Sequence, residues 1–394
     1  MSIPYGRQNI TEEDFSAVKE VLYSDYLTQG PTIGAFEKDF AQYVGAQYAV
    51  AVSNGTAALH LCAMALDVKP GQKVITTPIT FAASANCVRY NGGEVVFADI
   101  DPETYLLDIN AVRELLEASP KGTYAGVVPV DFAGRAVNLE SFRKLADEYG
   151  LWIIEDSCHA PGGSFLKDSG EQASCGNGEF ADLAIFSFHP VKHITCGEGG
   201  MITTNNPELY QRLMSLRTHG IIKNDDAYLN SASFATGVEG ANDYPGWYME
   251  MQELGYNYRL TDIQAALGKS QLKRADAGIA RRRAIAARYQ DAFGGQAFIK
   301  SQSGVVDGHA YHLYVIEVDD RLGLYNHLRK QKVFAQIHYI PCHLMPYYRE
   351  QGWKEGDLIH AEEYYRNCIS LPMYPTLTYE EQDFVIATIL KYYE

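Results

Sequence analysis

Short apolar runs alternate with helix-forming segments through the first two thirds of the chain, and this alternation constrains the fold more than any other feature. Strand-like runs lie at residues 48–52, 73–77, 94–98, 125–130, 152–154 and 183–186. Helical patterns lie between some of them, at 57–65, 110–118 and 139–149. Buried strands that alternate with helices predict a largely parallel sheet in an α/β fold. In such sheets, ligands bind at the carboxyl ends of the strands.

A second, smaller α/β unit is expected after this region. The chain has 394 residues, which suggests about two domains at roughly 100–200 residues each. A helical pattern from Thr261 to about Phe293 is followed by strand patterns at 312–318 and 335–339. We place the boundary within the long helix, giving a large domain (1–275) with an N-terminal arm and a smaller C-terminal domain (276–394).

The segment 221–250 interrupts the alternation and is rich in Asn, Asp, Ser, Gly and Tyr. A surface insertion and a ligand-binding loop are equally consistent with its composition.

Charge and cysteine usage exclude several classes of function. There are 33 Lys and Arg residues against 49 Asp and Glu residues, a formal net charge of −16, whereas nucleic-acid binders need a basic face. No apolar run approaches the ~18 residues of a membrane span, and the first residues lack a signal peptide's layout. The seven cysteines are scattered without a CxxC pair, which indicates reduced thiols in the cytoplasm and no metal site.

A lysine after the last strand of the alternating region is a candidate nucleophile. Lys192 lies in FSFHPVKHITCGEGG, among apolar residues and before a Gly-rich turn. Burial lowers the pKa of a lysine, so that it can act as an amine in Schiff-base chemistry. Ser187 could present its hydroxyl to a phosphate at the same site. A solvated surface lysine is the alternative.

An acidic pair ends the strand at 152–154, in WIIEDSCHA. Asp156 could pair with the protonated ring nitrogen of a pyridoxal cofactor, which keeps the ring an electron acceptor. His159 could lie over that ring. A helix cap and loop packing are the respective alternatives.

Two further stretches follow strands and complete the set of parts for a pyridoxal phosphate site. The turn SNGT, at residues 53–56, precedes a helix whose free N–H groups can bind phosphate. Phe81 could stack on a flat cofactor, although core packing is a commoner use of phenylalanine. The order of these parts along the chain, rather than any one of them, points to this cofactor.

In order and spacing these stretches resemble the DegT/DnrJ family of nucleotide-sugar aminotransferases, which have the fold type I of pyridoxal-phosphate enzymes. The resemblance rests on SNGTAALH, TPITFAASAN, IIEDSCHAPGG, FSFHPVKHITCGEGG, GYNYRLTDIQAALG and SLPMYPTLT, and it extends from about residue 20 to residue 380. It implies a large domain with a central, mostly parallel sheet flanked by helices, and pyridoxal 5′-phosphate or its pyridoxamine form as cofactor.

The resemblance also assigns roles to individual residues. Lys192 matches the lysine that binds the cofactor covalently and then moves the proton, and Asp156 matches the partner of the ring nitrogen. The remaining cofactor contacts implied are Ser187, Thr56, Ala57, Phe81, His159 and Asn257. Asn257 matches an asparagine that reaches the phosphate of the other subunit, which implies a homodimer with shared sites. The dehydratase branch of the family has His in place of the lysine, so Lys192 favours transamination.

Within the family, PVDFAGRAV, DSCHAPGG, FSFHPVKHIT and AQIHYIP resemble the transaminases of pseudaminic acid biosynthesis. This implies transfer of an amino group from L-glutamate to C4 of a UDP-linked 2-acetamido-2,6-dideoxy-4-ketohexose. The product would be UDP-4-amino-4,6-dideoxy-N-acetyl-β-L-altrosamine. Two alternatives stay open: a different 3- or 4-keto nucleotide sugar, and a non-catalytic relative that binds the cofactor without turnover.

Residues that could contact the substrate are less strongly indicated. The candidates are Tyr5, Thr28, Arg259, His338 and Tyr339. Arg259 could meet a carboxylate or a diphosphate, since its guanidinium group suits both. A structural role is the alternative for each of them.

Overall fold

A computed structural model describes residues 2–394. Its strands are β1 (Ile3–Pro4), β2 (Tyr48–Val52), β3 (Lys73–Thr76), β4 (Glu94–Phe97), β5 (Tyr124–Val128), β6 (Trp152–Asp156), β7 (Ser164–Leu166), β8 (Gln172–Ser174), β9 (Leu183–Ser187), β10 (Gly200–Thr204), β11 (Ile221–Ile222), β12 (Glu250–Met251), β13 (Ile299–Gln302), β14 (Tyr314–Val318), β15 (Val333–Phe334) and β16 (Cys368–Leu371).

The α-helices alternate with the strands in the first two thirds of the chain. They are α1 (Glu12–Leu22), α2 (Pro31–Val44), α3 (Gly55–Ala65), α4 (Ala83–Tyr90), α5 (Ile109–Glu117), α6 (Leu139–Tyr149), α7 (Pro207–Leu216), α8 (Ala232–Thr236), α9 (Asp262–Leu272), α10 (Ala275–Phe293), α11 (Arg321–Lys330), α12 (Pro346–Arg349), α13 (Ile359–Asn367) and α14 (Tyr379–Tyr393). No helix within residues 2–394 is both long and apolar enough to cross a lipid bilayer.

A seven-stranded sheet in the order β2-β10-β9-β6-β5-β3-β4 forms the centre of the molecule. Six strands run in one direction, and β10 runs antiparallel to both of its neighbours, β2 and β9. This confirms the predicted α/β fold with a mostly parallel sheet. The carboxyl ends of β2, β6 and β9 therefore lie along one edge. All six predicted strands are present, and β10 was not predicted.

The helices cover this sheet with apolar faces, and the burial of α3 shows how deeply one of them lies. Every residue of α3 except Thr56 and Met64 is buried. The side chain of Asn54 caps the helix by accepting a hydrogen bond from the N–H of Ala57 at 2.8 Å, which is the usual role of asparagine at that position. The start of α3 is thereby fixed beside the end of β2.

The last hundred residues contain a separate three-stranded antiparallel sheet in the order β13-β14-β16. Its own core includes Tyr289, Ile316 and Ile389. Ile3 belongs to the same core because β1 pairs in parallel with β15. The domain boundary near residue 275 stays a prediction.

Two expectations for the C-terminal third are wrong. Residues 335–339 are not a strand: β15 ends at Phe334, and Gln336 forms only an isolated bridge with Ser370. The long helix is interrupted between Leu272 and Ala275, where the guanidinium of Arg274 donates hydrogen bonds to the buried Asp14 carboxylate. The interruption contains neither glycine nor proline, so the local sequence gave no sign of it.

The segment 221–250 is folded around a buried carboxylate. Glu250 accepts hydrogen bonds from the N–H groups of Leu229 and Asn230 and from the hydroxyl of Tyr248. Although burial acts in the opposite direction, these bonds lower the pKa of Glu250 to about 2. The segment nevertheless leaves large apolar side chains exposed, Trp247 among them at 71%.

Candidate active site

A cavity of about 710 Å³ opens at the carboxyl edge of the central sheet. Ten of the predicted site residues line it: Tyr5, Thr56, Ala57, Phe81, Asp156, His159, Ser187, Lys192, His338 and Tyr339. The sheet explains this convergence, because Asp156 ends β6 and Ser187 ends the neighbouring parallel strand β9. The roles of these residues remain predictions, but the structure brings the residues together.

The other three predicted residues lie outside this cavity in the same chain. Asn257 is exposed and pairs through its backbone with Thr218. Thr28 forms an isolated bridge with Thr261. Arg259 lines a separate cavity of about 280 Å³, together with Glu37 and Arg217. A single chain therefore does not bring Thr28, Asn257 or Arg259 to the site.

Lys192 is partly exposed to the cavity and has an environment that favours the free amine. Burial lowers the pKa of Lys192 to about 8, with the Asp156 carboxylate acting in the opposite direction. From the usual value of 10.5, this change raises the free-amine fraction at pH 7 roughly 300-fold. A lysine that must act as a nucleophile and as a base needs such a shift.

Asp156 is buried and held by hydrogen bonds to both carboxylate oxygens. Ser84 Oγ donates to Oδ2 at 2.6 Å, and the N–H of Cys158 donates to Oδ1 at 3.1 Å. Ser84 Oγ also lies 2.7 Å from Thr80 Oγ1. These contacts fix the carboxylate, so that it can meet a cationic ring nitrogen without first having to be ordered. Sequence reasoning assigned no role to Ser84, although it lies in the stretch TFAAS that contains Phe81.

The start of α3 lines this cavity at the place where the sequence predicts a phosphate-binding corner. N–H groups in the first turn of a helix have no acceptor within the helix and favour anions. The N–H of Ala57 is already engaged by Asn54 Oδ1, so Gly55 and Thr56 are the better donors. A Cβ atom on Gly55 would lie 3.1 Å from Ser187 Cβ, so a side chain at this position would crowd Ser187.

His159 is buried in the cavity wall and has a defined tautomer. Its Nδ1 accepts the N–H of Ala133 at 3.2 Å, and its Nε2 lies 3.2 Å from Tyr339 Oη. Burial, and then the charge of Lys192, hold the pKa of His159 well below its usual range. The ring is therefore neutral and Nε2 carries the hydrogen, so Nε2–H donates to Tyr339. This leaves the Tyr339 hydroxyl hydrogen free to be donated elsewhere.

The remaining predicted residues form the outer part of the cavity. Phe81 is 64% exposed, and its ring centre lies 6.5 Å from that of Tyr339. The ring centre of Tyr5 lies 5.2 Å from that of His338, whose Nδ1 is 2.9 Å from Ser370 Oγ. Phe81 is thus available to stack on a flat ligand, and Tyr5 brings the N-terminal arm to the cavity.

Behind Asp156 lies a buried carboxyl pair that sequence reasoning did not identify. Ser157 Oγ is 2.5 Å from Asp131 Oδ2 and 2.9 Å from Glu155 Oε1. Burial raises the pKa of Asp131 to about 6, and burial together with the Asp131 charge raises that of Glu155 well above its usual range. Cys175 lies close enough to Asp131 and Glu155 for the three side chains to bind a metal ion. A proton shared between the two carboxyl groups already explains why they lie so close together.

This pair makes a testable prediction about stability and pH. The fold favours protonated Asp131, and this preference adds to the free energy of unfolding. The contribution is complete below about pH 4 and is lost as the pH rises through about 6. An asparagine in its place would keep an oxygen for the N–H of Val137 and would donate to Ser157 without needing a proton. Asp131→Asn should therefore raise the unfolding free energy more at pH 8 than at pH 5, by on the order of 1–2 kcal/mol.

Urea denaturation of the two proteins at both pH values measures this difference. Asp319→Asn, which alters an exposed carboxylate paired with Lys300, is the control and should show no such trend. A variant that is less stable than the original protein by the same amount at both pH values would contradict the shared proton.

The architecture has clear counterparts among known proteins. Residues 8–390 match the DegT/DnrJ/EryC1/StrS aminotransferase family. SpsC, a spore coat polysaccharide biosynthesis protein of Bacillus subtilis (strain 168), is 37% identical over 397 residues, covering 98% of this chain and 96% of SpsC.

Two solved structures are similar along the whole chain. Helicobacter pylori PseC, an aminotransferase involved in the biosynthesis of pseudoaminic acid, has a TM-score of 0.86 at 30% identity, covering 100% of this chain and 99% of PseC. Spr1654 from Streptococcus pneumoniae, described as a sugar aminotransferase and solved in its PMP form, has a TM-score of 0.86 at 27% identity, covering 99% of this chain and 98% of Spr1654.

Proposed function

Because the chain belongs to the DegT/DnrJ/EryC1/StrS aminotransferase family, and is thus a sugar aminotransferase that uses pyridoxal phosphate, we propose its substrates. The acceptor is a UDP-linked 2-acetamido-2,6-dideoxy-4-ketohexose, aminated at C4, and the donor is L-glutamate. The product is UDP-4-amino-4,6-dideoxy-N-acetyl-β-L-altrosamine. Similarity to PseC supports this choice of sugar, as do the sequence stretches around Asp156 and Lys192.

One observation carries the chemistry: a single cavity contains the Lys192 amine, the fixed Asp156 carboxylate and the start of α3 beside Ser187. These groups fit the cofactor, since they provide an amine for its aldehyde, an anion for its ring nitrogen and N–H donors for its phosphate. When bound, pyridoxal phosphate accepts electrons from the carbon that loses or gains a proton.

The chain's own residues then have separable tasks. Lys192 Nζ removes a proton from the amino donor and returns one to the acceptor carbon, for which a pKa near 8 is suitable at neutral pH. Asp156 holds the proton on the ring nitrogen. The N–H groups of Gly55 and Thr56, with the Ser187 hydroxyl, bind the phosphate, and Phe81 excludes water from one face of the ring.

The charges of the cavity support a homodimer. Of the described residues that line it, Lys192 is the only lysine or arginine, while Asp156 and Glu198 are acidic. A cofactor phosphate and a sugar diphosphate together carry several negative charges, against which this lining sets a single lysine. Asn257 is exposed, and exposed apolar side chains are concentrated nearby in sequence at Trp247, Met251 and Leu254. Burying that surface against a second copy would bring Asn257 to the other subunit's phosphate.

Half-reactions followed by visible absorbance test the proposed function. Glutamate should bleach the absorbance of the lysine-bound cofactor, and the UDP-linked 4-keto sugar should restore it. Assays with a panel of amino donors and of 3-keto and 4-keto nucleotide sugars measure which donor and which acceptor the enzyme prefers. Restoration by a 3-keto sugar alone would contradict the proposed acceptor. Cofactor binding without any amino transfer would instead support a non-catalytic relative.

Shared sites predict that two inactive variants complement each other. Lys192→Ala removes the amine, and Asn257→Asp places a negative charge against the partner's phosphate. In a mixed dimer, one site would combine Lys192 of one chain with Asn257 of the other and would be intact. Random exchange of subunits should then restore about a quarter of the original activity.

The measurement is transamination after the two variants are dissociated, mixed and reassembled, with each variant treated alone as the control. No recovery, despite mixed dimers detected by native mass spectrometry, would show that each site is built from one chain.

The cytoplasmic location expected from the cysteine pattern also stays a prediction.

A further inference from the structure

The C-terminal part of the chain brings a histidine to the catalytic lysine. His312 lies just before β14, and its Nε2 is 3.5 Å from Lys192 Nζ. It also lines the cavity and is only 4% exposed. No feature of the local sequence HAYHLYVI distinguished this histidine, because its partner is 120 positions away in the chain.

The backbone that carries His312 is fixed by an unusual set of contacts. The buried guanidinium of Arg282 donates through Nη1 to the carbonyl oxygens of Tyr311, His312 and Met373. Tyr311 has a φ of +48°, in the left-handed region that side chains disfavour. On the opposite side, a Cβ atom on Gly134 would lie 2.9 Å from the N atom of His312. The position of the imidazole is therefore set by contacts outside the cavity.

The ring of His312 is neutral and has one nitrogen without a protein partner. Burial, and then the charge of Lys192, hold the pKa of His312 well below its usual range. Nδ1 is buried and has no hydrogen-bond partner within residues 2–394. The ring centre of His159 lies 4.3 Å away. Within residues 2–394, the contact with Lys192 is therefore the one polar interaction that the His312 ring makes.

We propose that His312 is a positioning residue for Lys192, whose Nζ donates a hydrogen bond to His312 Nε2 and is thereby held towards the cavity. This proposal rests on the role assigned to Lys192 in the proposed function, but not on the identity of the sugar. Nε2 accepts the hydrogen bond and Nδ1 carries the ring hydrogen. Whenever the amine is not covalently engaged, this bond keeps it close to the position from which it transfers protons.

The test is a titration of Lys192 in the apoenzyme, which requires neither cofactor nor substrate. Limiting amounts of an acylating reagent label the free amine between pH 6 and pH 10, and peptide mass spectrometry measures labelling of Lys192. The charged and titratable groups around Lys192 are Asp156, Cys158, His159, His193, Arg282, His312 and His338. The original protein should have its midpoint near pH 8.

The variants separate a hydrogen bond from ring packing. His312→Phe keeps a ring against His159 but removes the acceptor that stabilises the ammonium form. The midpoint should therefore fall by about one pH unit, a tenfold change in the protonation equilibrium. His312→Gln places an amide oxygen close to the position of Nε2 and should restore most of the shift. His309→Asn is the control, since His309 Nδ1 accepts the N–H of Tyr311 instead.

A second readout uses the holoenzyme. We expect His312→Phe to lower kcat for glutamate at least tenfold with little change in KM, and His312→Gln to recover it. His312→Leu replaces the Phe variant if that protein does not fold. Equal midpoints in the original protein and the His312→Phe (or His312→Leu) variant, or equal shifts in the Phe and Gln variants, would overturn the proposal. Loss of transamination in the original protein would instead contradict the proposed function and leave the apoenzyme titration interpretable.

Discussion

Replacing Lys192 by alanine is expected to abolish amino transfer, with a fall in kcat of at least about 10⁴-fold. A positioned general base alone contributes roughly 10²- to 10⁴-fold, and in the proposed function this lysine also supplies the amine that binds the cofactor. No other lysine or arginine of the described chain lines the cavity, so no second side-chain amine is available there to bind the cofactor. Steady-state kinetics with glutamate measures the fall, and loss of the visible absorbance of the bound cofactor accompanies it.

Lys144→Ala is the matched control for this variant. Hydrogen bonds to Asp168 and Glu140 raise the pKa of Lys144, opposite to the direction found for Lys192, and its side chain is 60% exposed. That variant should keep full activity. Transamination by a folded Lys192→Ala protein at more than about a hundredth of the original rate would contradict the role of Lys192.

Asp156→Asn is expected to lower kcat by roughly 10²- to 10³-fold while the protein stays folded. Breaking a buried charge pair costs about 3–5 kcal/mol, and the proposed pair lies between Asp156 and the protonated ring nitrogen. Asparagine keeps the shape of the side chain and can still accept from Ser84 or Cys158. The cofactor should therefore bind, but the ring nitrogen should lose its proton and the ring should accept electrons poorly.

Kinetics of the glutamate half-reaction, together with cofactor binding measured by absorbance, tests this second prediction. Asp147→Asn removes a carboxylate that pairs with Arg143 at the surface and should leave the rate unchanged. A rate for Asp156→Asn within threefold of the original, at full cofactor occupancy, would refute the pairing with the ring nitrogen.

Much of the fold could be predicted because it depends on local pattern. Strands such as β6 and β9 are apolar runs bounded by polar residues, and the parallel arrangement of β3, β4, β5 and β6 follows from the helices between them. That arrangement brings Asp156 and Ser187 together at one edge, as the sequence order indicated. Strand β10 was missed because its place between β2 and β9 is set by pairing with both. The local pattern made Lys192 a candidate nucleophile, and the family resemblance assigned its role.

The parts that could not be predicted depend on contacts between distant residues. His312 meets Lys192, and Ser84 meets Asp156, only after the sheet and the C-terminal segment have packed. Residues 335–339 have the composition of a strand, but His338 and Tyr339 face the cavity instead of completing a sheet. Thr28 and Arg259, for which the sequence predicted substrate contacts, lie outside the cavity of their own chain.

Identifying the product formed from ¹⁵N-labelled glutamate and the UDP-linked 4-keto sugar tests the central claim most directly. NMR spectroscopy of the purified nucleotide sugar should show the ¹⁵N atom bonded to C4 of a 4-amino-4,6-dideoxy-N-acetyl sugar with the altrose configuration. The same reaction with Lys192→Ala should give no labelled sugar. The label at C3, another configuration at C4, or no labelled sugar from the active holoenzyme would contradict the proposed reaction.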